Sequence, residues 1–371
     1  MSYTILATAP LGLEAVVAHE AKILGFSEYQ VENGRVRITT DLEGIVKANL
    51  WLRTTDRILL LLGEFPAYTF DDLFEGTKAL PWDEWLPEDG RFPVAGRSHK
   101  SQLSSVPACQ SIVKKAIVDK LTDAYMTTRF PEDGATYPIE VTLHQDRAMI
   151  TLDTSGAGLH KRGYRVAAGD APIKETLAAA LVQLSRWRGE RVLVDPFCGS
   201  GTIAIEAAMY AANIAPGLHR EFAAEHFDWV PKRLFREARE QATSAINTAN
   251  ARAILASDID AGAVDLARLN AHRAGVEPMI EFSRQAVKDL RLEEDRGVLI
   301  GNPPYGERMG DAADVRRIYE TLGQLRTDHP GWSFFLLSGQ PLFERWFGKP
   351  ADKRRKLYNG RIECQYYQYT R

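Results

Sequence analysis

Two stretches of this chain, Asp195-Pro196-Phe197-Cys198-Gly199-Ser200-Gly201-Thr202 and Asn302-Pro303-Pro304-Tyr305, hold residue types that can do chemistry together. In the first, Gly199 and Gly201 carry no Cβ, so the backbone can approach a ligand closely. Asp195 would repel a phosphate but suits an ammonium, such as the methionine end of S-adenosylmethionine. The segment has neither the lysine of a P-loop nor the glycine spacing of a dinucleotide fingerprint. In the second, the Asn302 side-chain oxygen and the Pro303 carbonyl can accept the two N–H groups of a planar, weakly nucleophilic exocyclic amine. The pair Pro303-Pro304 fixes φ and removes two donors, so carbonyls are presented stiffly, and Tyr305 offers a stacking face for a base. The chemistry implied is methyl transfer from a sulfonium to a base amino nitrogen, driven by positioning and needing no strong base. Each stretch has a plainer alternative: a tight strand-to-helix turn for the first, a Pro-Pro turn with a packed tyrosine for the second.

Further candidates follow at later strand ends. Asp258, with Ile259 beside it, can accept ribose hydroxyls as acidic residues do in dinucleotide folds, whereas Asp260 reads as the cap of a helix starting near Ala261. Asp289 can accept from the adenine amino group; a solvated surface carboxylate is its alternative. Cys198 sits inside the first motif without a base beside it in sequence, and reads as a small packing residue.

Elements must hold these loops in place. Residues 3–8 read as a strand, 13–24 as a helix, 31–40 as a hairpin about Asn33-Gly34, 42–53 as a helix and 57–64 as a strand, the order of a ferredoxin-like unit. Residues 70–80 and 107–122 read as helices, with Ile112, Ala116, Ile117 and Leu121 on one face of the second. Residues 139–143 and 148–153 alternate around Gln145-Asp146-Arg147, which predicts another hairpin. From Pro172 onward, short apolar strands alternate with helices, which predicts a mostly parallel sheet covered on both faces, with 361–370 pairing at one edge. The expected fold is therefore α/β, divided into residues 1–64, 65–165 and 166–371.

Composition narrows the class. At 371 residues the chain is long enough for more than one core. No apolar run approaches a membrane span, and the N-terminus lacks a secretory pattern, so a cytoplasmic protein without membrane contact is expected. Three widely spaced cysteines make neither a disulfide framework nor a zinc site, so no metal is expected. A net charge of −3 gives no global attraction for nucleic acid, so any RNA contact must be local. Arg97 and Lys100, joined by Lys114 and Lys115 on one positive face, and Lys161, Arg162 and Arg165 at a junction, are the candidates for phosphate contacts. Lys353–Lys356 is a further basic run. Each run has a solvated face as its ordinary explanation.

The residues together resemble bacterial THUMP-domain class I RNA methyltransferases of the RlmL type. His99-Lys-Ser-Gln-Leu and Cys109-Gln-Ser-Ile-Val-Lys-Lys-Ala-Ile are similar to the THUMP signature. Leu159-His-Lys-Arg-Gly-Tyr-Arg and Ala171-Pro-Ile-Lys-Glu-Thr-Leu are similar to the junction into the catalytic domain. Asp195–Thr202 and Asn302–Arg308 are similar to the cofactor and catalytic motifs. The resemblance implies a ferredoxin-like domain, an RNA-gripping THUMP domain and a Rossmann-like catalytic domain with an antiparallel C-terminal strand. It implies S-adenosylmethionine as donor and guanine N2 of structured RNA, with 23S rRNA foremost, as acceptor. The second methyltransferase domain of the fused enzyme is absent, so one methylation is expected. Val287 stands where many methyltransferases place an adenine-binding Asp. Competing readings are a tRNA guanine-N2 or DNA adenine-N6 methyltransferase, the RNA-type module arguing against DNA, and a non-catalytic RNA-binding ribosome-assembly factor.

Overall fold

The computed structural model describes residues 2–166, 173–250, 253–305 and 312–371. Of the motifs above, Ala171-Pro172 and Gly306-Glu307-Arg308 lie outside the described residues.

The first unit runs β1 (Tyr3–Thr8), α1 (Glu14–Ile23), β2 (Tyr29–Glu32), β3 (Arg35–Thr40), α2 (Leu42–Trp51), β4 (Arg57–Pro66). The chain turns between β2 and β3 at Gly34, whose φ of +75° a glycine adopts without strain. The second unit adds α3 (Phe70–Lys78), α4 (Trp82–Trp85), β5 (Val94–His99), α5 (Val106–Tyr125), β6 (Ile139–His144) and β7 (Arg147–Asp153). Gln145 and Asp146 both have positive φ, as a two-residue hairpin between β6 and β7 requires. On α5, Ala116, Ile117 and Leu121 of the stripe read from the sequence are buried, with Val113 beside them, while Ile112 is only half-buried.

These two units do not build separate sheets. Their strands form one seven-stranded sheet, ordered β2-β3-β1-β4-β7-β6-β5. The ten-residue β4 joins them: Arg57–Leu60 pair with β1, while Leu59–Pro66, with an irregularity between Leu61 and Gly63, pair with β7. The expected division after residue 64 therefore falls inside a strand.

The third unit, which carries both motifs, contains α6 (Glu175–Leu184), β8 (Val192–Asp195), α7 (Thr202–Ala211), α8 (Lys232–Ser244), β9 (Ile254–Asp258), α9 (Ala261–Arg273), β10 (Ile280–Arg284), β11 (Gly297–Gly301), α10 (Ala312–Asp328), β12 (Ser333–Ser338), α11 (Phe343–Phe347), β13 (Lys353–Asn359) and β14 (Ile362–Tyr369). Its sheet is ordered β10-β9-β8-β11-β12-β14-β13, parallel except for β14 and β13. All four residues of β8 and all five of β11 are buried, as central parallel strands must be. The C-terminal strand is not at the edge, as the sequence had implied; β13 is. Its opening run Lys353–Lys356 shows no apolar alternation because an edge strand leaves much of itself in water.

The sequence division near residue 166 is not a division of cores. Leu13 and Val16, at the start of the first unit, are buried with the core of the third unit. Conversely Phe222, Phe227, Phe235 and Ala242, far along the third unit, are buried with the N-terminal core. Backbone bonds from Gly217 to Leu50 (3.0 Å) and from Ala224 to Thr154 (3.0 Å) stitch this exchange.

Candidate active site

β8 and β11 are parallel neighbours, with Leu299 opposite Val194, so the loops that leave their carboxyl ends emerge side by side. A Cβ built on Gly301 would lie 3.1 Å from the Phe197 ring, which shows how closely the two loops meet. In parallel α/β sheets this end is where ligands bind. The two motifs of the sequence therefore stand side by side at one end of the sheet.

Asp195 closes β8 and is fully buried. One carboxylate oxygen accepts from the Phe197 N–H at 3.2 Å. The other has no hydrogen-bond partner among the described residues. Burial raises its pKa to about 8, and the charge of Asp258 adds to the rise while the Phe197 bond opposes it. A buried, partnerless carboxylate oxygen is a costly arrangement unless a cation arrives. Gly199, with φ +50°, has open space where a Cβ would sit, so this part of the loop is bare to a ligand. Gly201, with φ +83°, starts α7 and would bring a Cβ within 3.0 Å of the Ala267 Cβ. Cys198 donates its backbone N–H to Ser257 at 2.9 Å, and burial pushes its thiol well above the ordinary cysteine range. It is a neutral packing group. Pro196 is buried, and Ser200 and Thr202 face each other through their hydroxyls at 3.2 Å.

Asp258 ends β9 half-buried, accepting the Gly199 N–H at 2.9 Å and the Asp260 N–H at 3.1 Å. Asp260 accepts from Gly262 at 2.9 Å and so caps α9. Ile259 between them is 67% exposed at the rim, an apolar side chain left uncovered beside the crevice. The next loop is tied in by the Gln285 N–H on the Asp258 carbonyl at 2.9 Å, and Asp289 stands exposed at its end.

Asn302 follows β11 directly. Its side-chain oxygen is buried and has no hydrogen-bond partner among the described residues. Pro303 is buried and Pro304 half-buried. The Pro304 carbonyl accepts the Tyr319 hydroxyl at 2.8 Å, and that hydroxyl also lies 2.9 Å from Ser338 Oγ. Tyr305 departs from expectation. It is only 5% exposed, its ring packs in the catalytic core, and its hydroxyl accepts from Asn359 Nδ2 at 2.9 Å. It does not present an open stacking platform, because the turn after Pro304 carries the ring inward over Gly339.

The sequence missed the residues that hold the loops. Tyr319 on α10 and Asn359 at the end of β13 brace the second motif. Asn270 on α9 donates to the Ser200 carbonyl at 3.0 Å and accepts the Val166 N–H at 3.1 Å, bracing the first. Isolated polar residues on helices carry no spacing signal, so only their placement reveals them.

The RNA candidates divide. Arg97 is largely exposed and paired loosely with Glu140 at 3.3 Å; Lys100, Lys115 and Lys161 are exposed. Arg97 does not share a face with Lys114 and Lys115, however. Gly96 abuts Val106 and Gln110 of α5, so its neighbour Arg97 points to the opposite side of the sheet. Lys114 is committed internally to Glu132, to the Phe92 carbonyl at 3.2 Å and to the Phe92 ring. Arg162 is buried, bonded to the Leu159 and Arg53 carbonyls and ion-paired with Glu206 at 3.3 Å. Arg165 pairs with Glu175 at 2.9 Å and donates to Thr202 Oγ1 and the Ile173 carbonyl, each at 3.1 Å. Lys114, Arg162 and Arg165 are thus structural, because acidic and carbonyl partners already occupy their donors.

Known proteins share this arrangement. The RMKL-like methyltransferase domain matches residues 162–368, the RlmL ferredoxin-like domain residues 4–59 and the THUMP domain residues 67–153. YpsC of Bacillus subtilis (strain 168), named as a candidate RNA methyltransferase, is 51% identical over 369 residues, 99% of this chain and 96% of that protein. The ribosomal RNA large subunit methyltransferase K/L of Syntrophotalea carbinolica is 36% identical over 97% of this chain, but the match spans 52% of that longer protein. Among solved structures, a Listeria monocytogenes protein described as a predicted N6-adenine-specific DNA methylase superposes with a TM-score of 0.95 at 49% identity, covering 100% of this chain and 96% of its own. SMU.472, a candidate methyltransferase solved in complex with SAH, superposes with a TM-score of 0.94 at 43% identity, covering 100% and 98%. With its paired loops on β8 and β11 and all three domain types in order, this chain belongs to the RMKL-like methyltransferase family.

Proposed function

We propose that the protein transfers a methyl group from S-adenosylmethionine to the exocyclic N2 amino nitrogen of a guanine in structured RNA, with large-subunit rRNA as the substrate class. The observation that carries this reading is the pair of buried oxygens, one on Asp195 and one on Asn302, that have no partner among the described residues, at the mouths of adjacent parallel strands. The residues fit the cofactor. Asp195 would hold the ammonium of its methionine end, the bare Gly199 backbone would admit it, and Asp258 and Ile259 would meet the ribose and adenine side. When bound, the cofactor supplies an electrophilic methyl on a sulfonium.

The chain's own groups do the rest. Asn302 Oδ1 and the Pro303 carbonyl accept the two N–H groups of the target amine and fix its orientation. The prolines and the Tyr319 bond keep those acceptors from turning away. The amine becomes acidic only as its nitrogen is alkylated, so its proton can leave to solvent, and the crevice needs no strong base. The neutral Cys198 thiol takes no part. The THUMP match favours RNA over DNA as the polymer, and exposed Arg97, Lys100, Lys115 and Lys161 are its proposed phosphate contacts.

The test is methyl transfer from labelled cofactor to rRNA, tRNA and DNA prepared from a strain lacking the protein, followed by nucleoside analysis. Label in N2-methylguanosine of large-subunit rRNA is the expected result. Label in tRNA moves the substrate, and label in N6-methyladenine overturns the base assignment.

A further inference from the structure

Away from the methyl-transfer crevice, at the amino ends of the catalytic strands, lies a concave cleft of ≈ 740 Å³. Its basic side chains come from three separate places: His19 on α1, Arg186 and Arg188 in the turn between α6 and β8, and Lys353, Arg354 and Arg355 on β13. None of the side chains lining it is acidic. Arg354 is paired with Glu344 at 2.6 Å, and Arg355 donates to the Gly12 carbonyl at 3.2 Å. Glu190 nearby accepts the backbone N–H of Arg188 at 2.9 Å but pairs its charge with Arg191. Arg186, Arg188 and Lys353 are exposed, and no acidic side chain is paired with them among the described residues.

The register of β13 explains the convergence. Leu357 is buried in the catalytic core beside Leu13 and Val16 of the first unit. Lys353 and Arg355 lie on the same face of the strand as Leu357, by period-two alternation, and so face α1 and α6. Arg186 sits with φ +60°, an uncommon backbone for a long side chain, at the turn that follows α6. Two ordinary explanations fall short. The carboxyl end of α6 offers only about half a negative charge, enough to favour one nearby cation. Lysines on an edge strand discourage strand addition, but that accounts for β13 alone and not for the two arginines of the α6–β8 turn.

We infer that this cleft is a second docking site for the phosphate backbone of the RNA substrate, placed at the end of the catalytic domain opposite the base crevice. Arg186, Arg188 and Lys353, gathered without acidic partners among the described residues in a protein of net charge −3, are relieved by an anion. The flexible, forked donors of Arg186 and Arg188 with Lys353 match phosphodiester oxygens. The inference rests on the RNA reading above. A long structured RNA can reach both ends of the catalytic domain, whereas a lone nucleotide cannot.

The experiment compares the full-length protein with the variant Arg186→Gln/Arg188→Gln/Lys353→Gln and with a charge-matched control, Lys47→Gln/Lys232→Gln/Arg233→Gln. Affinity for labelled large-subunit rRNA is measured across a salt series, with SAH affinity as the check on folding. Each phosphate contact contributes roughly 0.7–0.9 to the slope of log affinity against log salt, so the cleft variant is expected to lose about 2–3 in slope while the control keeps its slope. Inorganic pyrophosphate is titrated in parallel. An unchanged slope in the cleft variant overturns the inference, and loss of pyrophosphate binding in that case assigns the cleft to a free phosphate compound. A wild-type protein that binds no RNA overturns both this inference and the reading beneath it.

Discussion

Asp195 and Asn302 each keep one oxygen buried and without a partner among the described residues, and that shared condition gives both residues testable signatures. The Asp195 carboxyl has a pKa of about 8 against an ordinary 3.8, chiefly through burial. Below 3.8 it is neutral whether folded or unfolded, so it costs nothing there. As pH rises toward 8 the unfolded chain ionises first and gains, so the folded state loses stability until both forms are ionised. Asp195→Asn removes that loss. Scanning calorimetry of the cofactor-free protein should show the variant's Tm advantage growing between roughly pH 5 and pH 8 and then levelling, while cofactor binding is lost. A Tm difference independent of pH would mean that the carboxyl is not held protonated. Asn302→Ala is expected to lower kcat by about 10²–10³-fold, the scale of removing one preorganised polar group from a reacting centre. Cofactor affinity measured by calorimetry should stay unchanged; its loss would move Asn302 out of the base-holding role.

At the scale of elements, the loops work because neighbouring helices hold them. Tyr319 is fully buried on α10, and burial raises its hydroxyl above the ordinary tyrosine range, so it remains a neutral donor to the Pro304 carbonyl. Tyr319→Phe keeps the ring in its apolar setting with Phe343 and removes only the hydroxyl. One hydrogen bond is worth about 1 kcal/mol, so kcat should fall roughly five- to tenfold. Single-turnover kinetics would check this, and cofactor affinity should not move. An equal loss in cofactor affinity would point instead to a general loosening of the sheet. The first loop was the more legible of the two in sequence, because its glycines fall where positive φ is needed. The second was legible as chemistry but not as packing. Tyr305 stands in a turn whose direction is set by Asn359 and Gly339, both far along the chain, and no local pattern signals that its ring goes inward.

Across the whole molecule, the two halves are interlocked by exchange of segments and by a buried charged knot. The Arg162 and Glu206 side chains are 2% and 0% exposed. Glu206 lies on α7, directly behind the Asp195–Thr202 loop, and also accepts from the Tyr164 hydroxyl at 3.2 Å. Arg53 of the N-terminal unit reaches across to the Ile214 carbonyl at 2.7 Å, and its own carbonyl accepts from Arg162. Removing one member of a buried pair strands the other, at a cost of about 3–5 kcal/mol. Arg162→Met should therefore lower Tm by roughly 4–6 °C, and Arg162→Met/Glu206→Leu should recover part of the loss. A Tm near that of the wild type in the single variant would show that the knot does not hold the halves together.

The sequence alone determined most of the order of strands and helices, though not α8 or β13, and the strand-to-loop placement of both motifs, since each depends on residues adjacent in the chain. Period-two and helical patterns, turn glycines and prolines act locally, and the folded chain keeps them. Tertiary structure alone decided which cations are available to RNA, which strand forms the edge, and where one core ends and the next begins. Arg162 and Lys161 are neighbours of the same charge, yet one is buried against Glu206 and the other is in water. The difference comes from a partner on a distant helix. Burial and pairing are set by contacts between remote segments, and a linear pattern carries no record of them.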